Sequence, residues 1–85
     1  MLDLYHRTTA VSAAVIYRER RMLSKESSGE AFFSTVRDGG ASTGYGEAVV
    51  HIRVPEELAE IDDEFPDGEQ HYRVKVARLR PEHFI

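Results

Sequence analysis

The chain opens with LDLYHRTT at residues 2–9, a short apolar strand that leads directly into a helix signal. Apolar and polar side chains alternate along residues 2–6, which predicts a strand with Leu4 and His6 on one face. Thr8 or Thr9 is suited to the N-cap position, because its hydroxyl can accept a hydrogen bond from a first-turn amide. This corner sets the position of His6, although a histidine at such a corner more often bonds the backbone than a ligand.

The next segment predicts a helix from Ala10 to about Leu23. Its larger apolar residues fall on one arc, which is expected to face the core: Val11, Val15, Ile16, Met22 and Leu23. Three arginines lie mostly off this arc: Arg18, Arg20 and Arg21. The polar residues 24–30 then predict a loop.

Short aromatic or alternating apolar runs predict three more strands, at residues 31–34, 47–54 and 71–79. Phe32 and Phe33 are expected to point to opposite faces, so that at least one of them lies in the core. The connections are a glycine-rich turn at residues 38–44, a single helical turn after Pro55, and an acidic loop at residues 62–69. This order predicts an α+β fold, with a small mixed, mostly antiparallel sheet and one long helix after the first strand.

Size and composition limit the class of protein. With 85 residues, of which 41% are hydrophobic, residues 1–85 are expected to form one domain with a thin core. Domains of this size bury only ~60–65% of their unfolded surface, so a homo-oligomer is one way to add buried area. The absence of cysteine excludes disulfides and thiolate metal sites. We see no leader pattern and no run near the ~20 apolar residues of a membrane span, so a cytoplasmic protein without membrane contact is expected.

Charge is distributed unevenly along the chain. The formal net charge is −4, and acidic residues crowd the segment 56–69. Overall acidity argues against non-specific binding to nucleic acids, because such binding requires cations that neutralise phosphates. The acidic segment supports a non-enzymatic interpretation, in which a small interaction or inhibitor protein binds a basic partner. A metal site at residues 62–64 with His51, His71 or His83 is a weaker interpretation, since the spacing matches no known metal site.

Four short motifs follow one another along almost the whole chain. They are Tyr5-His6-Arg7-Thr8, the run from Gly29 to Ser34, Ser42-x-x-Tyr45, and His71-Tyr72-Arg73-Val74 followed by Phe84-Ile85. In order and spacing they resemble the ADP-ribosyltransferase fold of the diphtheria-toxin and poly(ADP-ribose) polymerase branch. Each motif alone has low specificity, and their order carries the resemblance. The chain is short for this fold, since catalytic members usually carry extra helices and loops.

The resemblance implies a pocket for NAD⁺, which is the substrate in this family. It implies that His6 bonds the ribose hydroxyls, that the backbone at Arg7 meets the nicotinamide amide, and that Ser42 bonds the same amide. Tyr45 would stack on the nicotinamide ring, because an aromatic face attracts a cation by ~0.5–2 kcal/mol. The rest of the implied cofactor-binding set is Thr8, Phe32, Phe33 and Ser34, with Phe32 as a wall of the pocket.

The catalytic carboxylate is the point where the chain departs from the family pattern. The matching position holds His71, which cannot supply the same fixed negative charge, and Glu69 lies two residues earlier on the same strand face. Glu69 would bind the ribose hydroxyls and stabilise an oxocarbenium-like transition state, with a register shift or bulge bringing it into place. Glu69 and His71 are therefore the predicted catalytic residues.

Several functions stay open at this point. The resemblance implies a minimal ADP-ribosyltransferase-like domain that binds NAD⁺ and transfers ADP-ribose to a protein or nucleic-acid acceptor. RNA 2′-phosphotransferases share the fold, lack that glutamate and use Arg and His against a phosphate, for which Arg7, Arg18 and Arg21 are the candidates here. A third alternative is a domain that has lost catalysis and keeps only a binding groove. This alternative is close to the interaction-protein interpretation.

Overall fold

A computed structural model of the protein describes residues 1–22, 29–37 and 46–85. The strands are β1 (Leu2–Thr8), β2 (Glu30–Ser34), β3 (Ala48–Val54), β4 (Ala59–Glu64) and β5 (Gln70–Lys75), and helix α1 spans Ala10–Glu19. Short 3₁₀ turns lie at Glu56–Leu58, Val76–Arg78 and Pro81–His83. The described residues therefore form an α+β fold, as predicted, with one helix and a five-stranded sheet.

The sheet has the strand order β3-β1-β2-β5-β4, and every pairing among the described residues is antiparallel. The mixed component of the predicted sheet is therefore wrong for this part of the chain. At one edge of the sheet, only residues 65–69 connect β4 to β5. A connection this short cannot make the crossover that a parallel pair requires.

Strand β1 makes very different contacts with its two neighbours. On β3, partner residues run along its whole length, from Leu2 opposite Val54 to Thr8 opposite Ala48. On β2, the described residues form one partner pair, Tyr5 opposite Ser34. Backbone groups of β1 and β2 on either side of this pair can therefore bond side chains instead of each other.

The hydrophobic core lies between α1 and one face of the sheet. Six large side chains in it are almost fully buried: Phe33, Leu4, Ile52, Val50, Val54 and Val74. Strand residues alternate between faces, so the opposite face carries the intervening residues. We call this second surface the polar face, and the cross-strand pairs assign to it Asp3, Tyr5, Phe32, Ser34, His51, Arg53, His71 and Arg73.

The helix begins as the sequence predicts but ends early, and the predicted arc is buried only in part, at Ile16 and Met22. Thr9 is the N-cap, and its side chain accepts a hydrogen bond from the Ser12 amide. Arg20 adopts a left-handed conformation with φ of 53°, so the helix ends at Glu19 instead of near Leu23. Val11 is 76% exposed, whereas Ala13 and Ile16 are buried. The predicted arc was therefore wrong at Val11, because the small Ala13 lets the helix approach the sheet closely on the stripe it shares with Ile16.

Strand β4 is the element that the sequence did not predict. Residues 62–64 were expected in an acidic loop, yet they complete a strand that pairs with β5, with a register irregularity between Ile61 and Asp63. Residues 60–64 are exposed on both sides of the strand. A strand held by backbone bonds to one neighbour needs no alternation of apolar and polar residues, so its pattern carries no signal.

The two edges of the sheet are finished differently. The C-terminal residues cover the outer edge of β3, where Phe84 bridges Ile52 and the Ile85 amide donates to the His51 carbonyl at 3.0 Å. Arg20 Nη1 donates to the Phe84 carbonyl at 2.6 Å and holds this segment in place. Among the described residues no strand pairs with the outer edge of β4. No helix in the described part is long and apolar enough to cross a lipid bilayer.

Candidate functional site

The three strands that carry predicted site residues are neighbours in the sheet. β1 carries His6, Arg7 and Thr8, β2 carries Phe32, Phe33 and Ser34, and β5 begins beside Glu69 and contains His71. Their order in the sheet is β1-β2-β5. Motifs up to 65 positions apart in the sequence thus lie within three consecutive strands of the sheet, which is the first condition for a shared site.

Ser34, Glu69 and His71 form one hydrogen-bonded cluster on the polar face. The Ser34 hydroxyl donates to Glu69 Oε2 at 2.6 Å, and His71 Nε2 lies 3.0 Å from the same oxygen. Glu69 is 2% exposed and Ser34 is 3% exposed, while the His71 side chain keeps 21% of its surface accessible. We call these three residues the Glu69 cluster.

Sheet register and a tight turn explain how the Glu69 cluster forms. Ser34 and His71 are direct partners across β2 and β5. Glu69 precedes His71 by two residues and therefore points to the same face. Just before it, the Phe65 amide donates to the Glu69 carbonyl at 2.9 Å, and the Gly68 amide donates to the Phe65 carbonyl at 3.0 Å. The Glu69 amide also donates to Asp67 Oδ1 at 3.0 Å, which sets the direction of the Glu69 side chain.

The order of groups in the Glu69 cluster decides what chemistry it can perform. In a hydrolase triad the imidazole lies between serine and carboxylate, so that it can take the hydroxyl proton. Here the carboxylate lies between Ser34 and His71, and both donate to it. The arrangement therefore does not activate Ser34 as a nucleophile. It holds a carboxylate that can accept a ligand hydroxyl or stabilise developing positive charge.

The second oxygen of Glu69 is the unusual atom of the cluster. Oε1 is buried, and the described residues supply no hydrogen-bond partner for it. A buried polar atom without a partner costs about 1–3 kcal/mol, so such atoms call for an explanation. A ligand that donates a hydrogen bond to Oε1 would remove this cost.

The structure places His6 away from the Glu69 cluster. His6 Nδ1 donates to the Phe32 carbonyl at 2.8 Å, and its ring lies 5.5 Å from the ring of Phe33. Phe33 is 2% exposed and faces the core, whereas Ser34 faces the opposite side of the sheet. The His6 ring and the Glu69 carboxylate therefore approach β2 from its two faces.

The two phenylalanines point to opposite faces, as predicted. Phe32 is 47% exposed and Phe33 is 2% exposed. Phe32 shares the polar face with Ser34 and His71, so it can still form a wall beside the Glu69 cluster. Phe33 belongs to the core, and Thr8 is likewise buried, at 4% exposure.

Arg7 bonds backbone carbonyls near the end of β1. Its guanidinium donates to the Arg37 carbonyl at 3.0 Å and to the Gly46 carbonyl at 3.3 Å. Gly46 lies so close to Thr8 that an added Cβ would stand 2.2 Å from the Thr8 carbonyl oxygen. Ser42 and Tyr45, two residues of the implied NAD⁺ pocket, lie outside the described residues.

The arginines considered for a phosphate ligand have different partners. Arg18 and Arg21 each lie 3.8 Å from a carboxylate oxygen of Glu19, on an exposed surface. Arg7 instead donates to main-chain carbonyls. The described contacts therefore do not combine the three side chains into one anion site.

A second polar cluster on the same face was not predicted. Asp3 Oδ1 accepts hydrogen bonds from His51 Nε2 and Arg53 Nε, both at 2.8 Å, and the ring of Tyr5 stacks on His51 at 4.7 Å. The hydrogen bond with His51, and then that with Arg53, lowers the pKa of Asp3 below its usual value. The cross-strand pairs Asp3–Arg53 and Tyr5–His51 produce this cluster. Only the pairing of β1 with β3 could have revealed it, because the residues are about 50 positions apart.

Acidic residues gather on the exposed side of the sheet next to β4. We call this surface the acidic edge; its exposed members are Glu56, Glu57, Glu60, Asp62, Asp63, Glu64 and Asp67. Arg73 reaches it from β5, with Nη2 3.0 Å from Glu60 Oε2 and Nη1 3.8 Å from Asp62 Oδ1. The hydrogen bond to Glu60 raises the pKa of Arg73. Lys75 and Arg78 line the same pocket as Arg73, Glu57 and Glu60. The seven carboxylates outnumber these three cations, so the surface is negative.

The described part of the chain gives no support to a metal site. No group of three or more histidine and acidic side chains there could hold a metal ion. Comparisons of the chain with protein-family models, curated proteins and solved structures find no match.

Proposed function

We propose that the protein is a minimal ADP-ribosyltransferase-like domain that binds NAD⁺ and transfers ADP-ribose to a macromolecular acceptor. One observation carries the proposal: Ser34, Glu69 and His71, which come from two separate motifs of the resemblance, converge on one buried carboxylate. The neighbouring positions of β1, β2 and β5 support it further.

In this proposal Glu69 supplies the negative charge that the reaction needs. Loss of nicotinamide from NAD⁺ leaves positive charge on the ribose, and a carboxylate beside that ribose stabilises it. Burial strengthens this effect, because charges interact more strongly away from water. Phe32, exposed on the same face, offers an aromatic surface next to the carboxylate.

His6 takes part in this proposal only if the ligand reaches both sides of β2. The described residues pair β1 with β2 at Tyr5 and Ser34 alone, and His6 lies just beyond that pair. The variants below test this role separately from that of Glu69.

The first experiment incubates the purified chain with NAD⁺ and follows free nicotinamide and the protein mass by mass spectrometry. We expect nicotinamide release that Glu69→Gln abolishes and Glu64→Gln retains, because Glu64 is an exposed residue of β4. Loss of activity in His6→Ala as well would place His6 in the site. If the chain releases no nicotinamide and its melting temperature does not change on addition of NAD⁺, the proposal is contradicted.

A second candidate function is binding of a basic partner through the acidic edge. The observation that favours it is the exposure of seven carboxylates beside a strand whose outer edge pairs with no other described strand. An extended basic segment could add a strand to β4 while its cations meet the carboxylates. Charged edge strands also prevent aggregation, so the surface needs a direct binding test.

That test titrates the protein with a synthetic peptide of alternating lysine and valine by calorimetry at two salt concentrations. We expect the Kd to rise between 50 mM and 200 mM salt on the order of severalfold, because exposed charges are screened over about 8–10 Å. The double variant Asp62→Asn, Glu64→Gln should bind more weakly than the variant Glu82→Gln, whose substitution lies outside the acidic edge. A Kd that changes neither with salt nor with the double substitution would exclude this function.

A further inference from the structure

We propose that the two oxygens of Glu69 have separate tasks: Ser34 and His71 hold Oε2, while Oε1 accepts a hydroxyl of the ligand. This inference rests on the proposed function and makes it more specific. It assigns Ser34 and His71 as positioning residues, which act through Glu69 and do not touch the ligand. The ligand chemistry is a sugar with a free hydroxyl, as in a ribose.

Oε2 of Glu69 is bonded by two side chains of the protein. It accepts from Ser34 Oγ at 2.6 Å and from His71 Nε2 at 3.0 Å. An ionised carboxylate carries no hydrogen to donate, so Nε2 of His71 must carry the proton in this contact. Two donors that converge on one oxygen fix the plane of the carboxylate and hence the direction of Oε1.

Both donors are themselves held in place. Ser34 Oγ accepts a hydrogen bond from the Val36 amide at 3.0 Å, which orients its own hydroxyl towards Glu69. The ring of Phe65 meets the imidazole of His71 edge-on, with centroids 4.7 Å apart. The support therefore comes from β2, from β5 and from the turn that joins β4 to β5.

Oε1 is the atom left for a ligand. It is buried and has no hydrogen-bond partner among the described residues. A donor that reaches it must displace the atoms that cover it, and it then gives Oε1 the hydrogen bond it lacks. A hydroxyl is small enough to enter such a position and supplies one hydrogen.

Two acidic residues lie near the cluster, while the neighbouring cation on the same face of β5, Arg73, directs its guanidinium to other carboxylates. Asp63 lies opposite His71 across β4 and β5, and Asp67 accepts the Glu69 amide. Neither provides a donor that could occupy Oε1. The imidazole of His71 contacts Glu69 Oε2, and the described residues leave Oε1 without a donor.

Positioning residues leave a distinct kinetic signature. Misplacement of a reacting group by about 1 Å can reduce the rate on the order of 100-fold. Because Ser34 and His71 make no contact with the ligand in this proposal, their loss should lower kcat and leave KM unchanged. A ligand-binding residue would change KM instead.

The test compares two disruptive variants with two conservative ones in the nicotinamide-release assay. Ser34→Ala and His71→Leu should lower kcat about 10- to 100-fold, whereas Ser34→Thr and His71→Gln keep a donor and should recover much of it. Circular dichroism of all four variants checks that they fold. A rise in KM at constant kcat, or equal losses in the conservative and disruptive variants, would overturn the assignment.

A second measurement needs no activity. Nitrogen-15 NMR of the imidazoles in the protein without NAD⁺ should show His71 protonated on Nε2, and Glu69→Gln should alter that signal while Glu64→Gln leaves it unchanged. A neutral His71 protonated only on Nδ1 would overturn the positioning role. The NMR signal and the nicotinamide assay distinguish the two proposals. If His71 is protonated on Nε2 but the wild-type protein releases no nicotinamide, the positioning of Oε2 is supported and the proposed enzymatic function is contradicted.

Discussion

The Glu69 cluster and the acidic edge use the same kind of side chain for opposite purposes. Glu69 is 2% exposed and its Oε2 accepts two hydrogen bonds, whereas the carboxylates of the acidic edge are exposed. Glu64 and Glu69 are separated by one tight turn. A buried carboxylate needs partners to offset its desolvation, while an exposed one is already solvated by water. Burial, and not residue type, therefore separates a candidate reaction centre from a solvated surface.

The largest effect on stability is expected when a buried side chain of the central strand β2 is truncated. Phe33→Ala should lower the free energy of unfolding by about 3–5 kcal/mol, because it removes a buried aromatic side chain and leaves a cavity. Phe32→Ala should cost less than about 1.5 kcal/mol, because its ring is 47% exposed. Urea denaturation of both variants measures the difference. Equal losses would mean that the two faces of β2 are not distinguished by burial.

The next effect compares the two glutamates directly. Glu69→Gln should reduce stability by about 1–3 kcal/mol, because the buried donors of Ser34 and His71 lose a charged acceptor. Glu64→Gln should stay within about 0.5 kcal/mol, as surface substitutions usually do. Thermal and urea unfolding of the pair provide the measurement. A stable Glu69→Gln variant would show that the buried charge is not needed for folding.

A smaller effect concerns Asp3, which lies between these two extremes because it is exposed but bonded to His51 and Arg53. Its pKa is lowered from 3.8 by these two partners. A carboxyl group with a lowered folded-state pKa stabilises the fold above its unfolded pKa and loses that contribution as pH falls through the folded pKa. Asp3→Asn should therefore melt below the wild type at pH 7, and the gap should close as the pH falls below 3.8 and through the lowered folded-state pKa. A gap that is constant down to pH 2 would contradict this reason.

The smallest effect should appear at the acidic edge itself. Added salt screens repulsion between its carboxylates, so the melting temperature should rise by less than about 4 °C between 50 mM and 500 mM salt. The double variant Asp62→Asn, Glu64→Gln should show a smaller rise. Differential scanning calorimetry checks both. A melting temperature that falls with salt would mean that ion pairs such as Arg73–Glu60 outweigh the repulsion.

Elements with a regular pattern could be predicted from the sequence. The alternation in residues 2–6 and 47–54 indicated β1 and β3, and the hydroxyl before Ala10 indicated the helix N-cap. The opposed faces of Phe32 and Phe33 followed from strand geometry alone. In each case the signal lies within a few residues, so no knowledge of distant partners was needed.

The acidic strand β4 could not be predicted in this way. Its residues 60–64 are exposed, so burial imposed no pattern on them. Backbone hydrogen bonds to β5 hold the strand, and such bonds are independent of side-chain type. The helix stripe was predicted correctly at Ile16 but not at Val11, since close approach to the sheet favoured the smaller Ala13.

The chain's local pattern was thus sufficient for an α+β fold with a strand, a helix and further strands, and for a set of candidate polar residues. Tertiary structure alone decided which candidates meet. Ser34 and Glu69 are 35 positions apart, and they share a hydrogen bond because β2 pairs with β5 in one register. His6 and Glu69 do not meet, because β2 lies between their strands and His6 is on the face that packs against Phe33. Local propensity acts over a few residues, whereas the register of distant strands depends on how the whole core packs.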